Sequence, residues 1–97
     1  MVINKIDIKE SEELLKEIAE ESIKLKIFQE ELEGINVNLR DIESELNLGK
    51  ISKKIYREFK VDLEKEKRIL EIKIKKITEK VLVNSKKLYK IINDSKI

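Results

Sequence analysis

The sequence predicts an all-α protein built as one long antiparallel helical hairpin, a coiled coil of two helices that reverses at residues 47–51. Three observations carry this. Proline is absent and glycine occurs only at Gly34 and Gly49, in a chain rich in Lys, Glu, Ile and Leu with 43% charged residues, the composition of long helices. From Leu14 to Leu46 apolar residues recur at steps of four and three. The two halves of the chain carry opposite charge.

Residues 1–10 read as an N-terminal arm or a helix start. Val2, Ile3, Ile6 and Ile8 fit either an extended arm or a continuation of the first helix, and Asp7 with Glu10 has the spacing of a capping box. The reading favoured here starts the helix between Asp7 and Ser11. Over about 11–47 the seam runs Leu14, Ile18, Glu21, Leu25, Phe28, Leu32, Ile35, Leu39, Ile42, Leu46, a sustained heptad interrupted by one acid. Gly34 lies inside this helix and costs about 1 kcal/mol relative to alanine. The seam keeps its phase on both sides of it, which predicts a tolerated weak point; the alternative is a break with Asn36 or Asn38 capping a new short helix.

In the run Asn47-Leu48-Gly49-Lys50-Ile51-Ser52, Gly49 suits the left-handed conformation that stops a helix and Ser52 suits the cap of the next. So short a link makes the helices antiparallel neighbours. The second helix, about 52–93, is predicted to place Tyr56, Phe59, Leu63, Glu66, Leu70, Ile74, Ile77, Val81, Asn84, Leu88 and Ile91 on its seam, with a stutter at Leu70 where two four-residue steps adjoin. Tyr56 and Phe59 are read as plugging the base of the turn. Glu21, Glu66 and Asn84 are seam positions where polar groups set register, with Lys76 or Lys80 as candidate partners for Glu21.

Residues 1–46 hold 6 Lys+Arg and 13 Asp+Glu, a net of −7; residues 47–97 hold 16 and 7, a net of +9. Folding about the turn pairs positions summing to roughly 98. This lays Lys73, Lys75, Lys76, Lys80, Lys86 and Lys87 along Glu10, Glu12, Glu13, Glu17, Glu20 and Glu21. Such flanking charges select partner and direction in coiled coils. The same offset argues against a nucleic-acid binder, as do a net charge of +2 and the absence of tryptophan.

Several functional classes are disfavoured. There is no histidine and no cysteine, so the commonest general base and metal ligand, thiolate sites and disulfides are all missing. No phosphate loop, nucleophile elbow or H-E-x-x-H occurs. The carboxylates Glu13, Glu17, Glu20 and Glu21 read as a solvated face, since the di-metal bundles also need histidine. No enzyme activity, cofactor or metal is expected. Apolar runs are too short for a transmembrane segment, and the start MVINKIDIK lacks the apolar block of a signal peptide, so a cytoplasmic protein is expected.

Away from the turn the apolar stripe broadens. Leu15, Ala19, Ile23 and Ile27 run off the first seam, and Ile69, Ile72, Val83 and Ile92 off the second, which predicts a helix end wanting more than one neighbour. These eight residues are the expected self-association or partner interface, and Gly49, Ser52 and Tyr56 the residues of the turn. The expectation is a non-enzymatic assembly module that dimerises into a four-helix bundle. The alternatives are a subunit of a larger hetero-oligomer and, second, a nucleic-acid-binding protein.

The stretch Leu46-Asn47-Leu48-Gly49-Lys50-Ile51-Ser52, with Tyr56 and Phe59, resembles the turn of several helical hairpins. It is similar to that of the SHOCT oligomerisation module and of the ESCRT-I headpiece, whose hairpins assemble side by side. The second resemblance implies a hetero-oligomer of hairpins as the partner. The match spans some fifteen residues.

Overall fold

A computed structural model describes residues 5–94. Two α-helices account for nearly all of them: α1, Lys5–Asn47, and α2, Lys53–Asp94, folded back on each other as an antiparallel hairpin with no strand among the described residues. The hairpin divides into two compact units. A turn-proximal unit is Ile27–Ile74, and a remote unit comprises the residues up to Lys26 with those from Lys75 onward.

Helix α1 is already formed at Lys5, earlier than the start between Asp7 and Ser11 that the capping-box spacing suggested. No glycine or proline lies there to stop it, and good helix formers on both sides of Asp7 outweigh one carboxylate's preference for a cap. The part of the N-terminal expectation that concerns residues 1–4 lies outside the described residues. Gly34 does not break α1, which runs through it without interruption.

A Cβ built on Gly34 would meet nothing within 4 Å. Nothing in this chain therefore needs glycine there, and its only intramolecular consequence is the entropic cost of a helical glycine. Gly34→Ala is expected to stabilise the fold by about 1 kcal/mol, raising the thermal midpoint by about 4–8 °C for a domain of this size. A melt followed by circular dichroism reads this directly; an unchanged or lowered midpoint would mean that some neighbour fills the space.

The turn is closed by a Schellman motif. The Lys50 amide donates to the Glu45 carbonyl (2.9 Å) and the Gly49 amide to the Leu46 carbonyl (3.0 Å), with Gly49 at φ 73°. This left-handed geometry costs an L-residue its Cβ clash and costs glycine none. Three residues after Gly49, Ser52 caps α2: its Oγ accepts from the Ile55 amide at 3.2 Å, and its carbonyl accepts from the Tyr56 amide at 2.9 Å.

The ten predicted seam positions of α1 are all buried or half-buried, from Leu14 through Leu46. In α2 the protected row is Tyr56, Lys60, Leu63, Lys67, Leu70, Ile74, Ile77, Val81, Asn84, Leu88 and Ile91. This corrects the sequence reading at two places. Phe59, 55% exposed, and Glu66 are off the seam, and Lys60 and Lys67 take their places, so the heptad has no stutter. The lysines fit because their stems are apolar while the ammonium reaches the edge; that of Lys60 sits 5.6 Å from the centre of the Tyr56 ring and 4.0 Å from Glu64.

Register also shifts. Glu17 contacts Asn84 and Phe28 contacts Lys73, each pair summing to 101 and not to 98. Most of the shift lies in the link: α1 ends at Asn47 and α2 begins at Lys53, so the hairpin is centred on residue 50 and facing positions sum to about 100. Protected side chains are few. Leu14 and Ile77 are buried in the remote unit, Ile35 and Leu70 in the turn-proximal unit, all 6–8% exposed.

Candidate association surface

Once the seam is located, every other residue can be assigned to a face. In an antiparallel pair, the residues just outside the seam form two flanks, one on each side of the hairpin. Within the remote unit these flanks differ sharply. One presents Ile8, Leu15 and Ser22 from α1 and Thr78, Ser85 and Ile92 from α2, six positions in rows of seven without a single charge. The adjoining rows hold Glu12, Ala19 and Lys26 from α1 and Lys75, Leu82 and Tyr89 from α2. The other flank presents Glu10, Glu17 and Lys24 from α1 and Lys80 and Lys87 from α2, all charged. On that side the Asn84 amide donates to the Glu17 carboxylate at 3.1 Å.

The uncharged flank is open to solvent. Ile8, Leu15, Leu82, Tyr89 and Ile92 are between 45% and 68% exposed. In the turn-proximal unit the equivalent rows hold Gln29, Asn36 and Glu43 with Arg57, Glu64 and Glu71, so the uncharged character is confined to the remote unit.

The eight residues expected from sequence to form the interface are all exposed, but they do not share one surface. Leu15, Ala19 and Ile92 belong to the uncharged flank. Val83 falls toward the opposite flank of the same unit, and Ile23 points outward from the middle of α1. Ile27, Ile69 and Ile72 belong to the turn-proximal unit. Missed by the sequence reading were Ile8, Leu82 and Tyr89. The signal that finds them is the seven-residue repeat 8, 15 and 82, 89 beside seams that the sequence already placed correctly in this unit.

In the turn-proximal unit an open cleft of about 430 Å³ lies over Gly34, Ile35, Ile69 and Leu70, edged by Glu31 and Lys73. The Lys73 ammonium leans over the Phe28 ring, 5.4 Å from its centre, which holds the cation close to the apolar seam.

The ion pairs among the described residues, Lys24 with Glu21 and Lys60 with Glu64, are each within one helix at 4.0 Å. Glu21 thus takes Lys24 in place of Lys76 or Lys80. The acidic and basic helices lie side by side without the expected ladder of direct ion pairs, because long exposed side chains gain little from being fixed in one geometry. Among the described residues no cluster of three or more carboxylates is placed to hold a metal, and no helix is long and apolar enough to cross a membrane. Compared with known protein families, curated proteins and solved structures, the chain matches none.

Proposed function

We infer that this chain is a non-enzymatic assembly module that works by packing helices against helices, and that it associates with itself. The observation that carries this is the surface left uncovered. The chain exposes 7795 Å², whereas a compact monomer of 11.5 kDa exposes about 5,800 Å² on the usual scaling. The excess, about 2,000 Å² per chain and so about 4,000 Å² for a pair, is well above the roughly 800 Å² per partner of a standard interface and falls in the range of about 2,000–5,000 Å² in total that obligate homodimers bury. Part of it is the uncharged flank of the remote unit, whose large apolar side chains Ile8, Leu15 and Ile92 face water in rows that carry no charge of their own.

Light scattering coupled to size exclusion at micromolar concentration is the test. A dimer is expected, at twice the 11.5 kDa of one chain. A fully helical species with the mass of one chain would overturn self-association. A chain largely unfolded alone, and folding when a helical partner is supplied, would move the reading to a hetero-oligomer.

A further inference from the structure

We propose that a second copy of this chain covers the uncharged flank of the remote unit, about a two-fold axis parallel to the helices, so that α1 of each copy lies on α2 of the other. This rests on the self-association inferred above and adds the face and the direction. Two hairpins packed face to face have two symmetric choices. With the axis along the helices, neighbours are α1 on α2 throughout and all are antiparallel. With the axis across the helices, α1 lies on α1 and α2 on α2.

Charge separates them. In the remote unit, residues 8–26 carry six acids and four lysines, a net of −2, while residues 75–94 carry six lysines and two acids, a net of +4. The axis along the helices sets the net-acidic helix of each copy beside the net-basic helix of the other; the other axis sets helices of like net charge together, which opposes association. Side-chain size agrees. An axis along the helices keeps each residue at its own level, so Leu15 meets the partner's Ser85 and Leu82 meets the partner's Ala19. A large residue thereby meets a small one at both places, the condition for interdigitated packing. The charged flank of Glu10, Glu17, Lys80 and Lys87 stays in water.

The chain has no cysteine, so one introduced thiol is a unique site for a nitroxide label. Lys9→Cys, Lys16→Cys and Ile23→Cys lie seven residues apart on the outward row of α1, clear of the flank. Pulsed electron resonance between copies is expected to give one common separation at all three sites. If the axis crosses the helices, the axial offset changes by about 21 Å from one site to the next, twice the rise of seven residues, and the proposed arrangement is wrong even though the dimer exists. Leu15→Lys should reduce the mass to one chain with helicity kept, whereas Ile23→Lys should leave the dimer intact. A Leu15→Lys protein that remains dimeric excludes this face. A wild-type chain that is monomeric and helical removes the underlying self-association, a different result from either.

Discussion

Leu70→Ala is expected to cost about 2–5 kcal/mol of folding free energy, the range for truncating a buried leucine. Leu70 is 6% exposed and is, with Ile35, one of the two buried side chains of the turn-proximal unit. Small domains have about 5–15 kcal/mol in total, so this one truncation removes a large share. The cleft beside Gly34 gives the cavity an opening to water, and neighbouring helices cannot close over it without moving the whole seam. Thermal melts should show a fall of at least about 8 °C, from 4–8 °C per kcal/mol. Protein concentration must be held fixed, because association adds to apparent stability. Phe59→Ala is the control. The apolar periodicity puts Phe59 on the seam, but it is 55% exposed, so its loss should cost well under the Leu70 value. Equal losses would mean the α2 seam is phased through Phe59 after all.

Replacing Lys60 and Lys67 together by leucine should have the opposite sign, a gain of about 2 kcal/mol if each half-buried leucine contributes about 1 kcal/mol. Both sites are half-buried, and each falls where the heptad asks for an apolar residue. What is given up is small. The Lys60–Glu64 pair is 45% exposed at both ends, and such pairs contribute about 0–1 kcal/mol. The midpoint should rise by about 8–16 °C on the same scale. A price in specificity is expected alongside, since an unbroken leucine row permits slipped registers and larger assemblies that a lysine disfavours. Mass heterogeneity by light scattering would reveal it, and a lowered midpoint would contradict the seam position of these lysines.

These two residues also mark where the sequence was hardest to read. The seam of α1 was fully legible, because nine of its ten positions are apolar and the tenth, Glu21, sits in unbroken phase. Gly49 and Ser52 were legible because a left-handed stop and a hydroxyl cap each require a narrow set of residues. In α2 the apolar Phe59 lies one position from the true seam and captured the phase, while Lys60 and Lys67 were overlooked because periodicity scores a lysine by its charge and ignores its four-carbon stem. That one error created an apparent stutter. The expected interface drew residues from several faces for a different reason: it collected every apolar residue off the seam without sorting the two flanks and the outward row, although the seams beside Leu15, Leu82 and Tyr89 were placed correctly. The register was two to three residues out because the Schellman closure and the Ser52 cap centre the turn at Lys50, a detail of hydrogen bonding that spacing alone does not express.

The reversal at Gly49 has a consequence for ionic conditions. Its closure uses backbone amides and the Ser52 hydroxyl, none of which gains or loses a proton in the physiological range. The charges around it are arranged against the helix dipoles: Glu43 and Glu45 stand near the negative end of α1, with no basic residue in its last turn, and Lys53 and Lys54 open α2, with no acid in its first. Dissolved salt therefore screens repulsion at this corner of the molecule. Added electrolyte eases the bend and leaves the bonds that make it untouched.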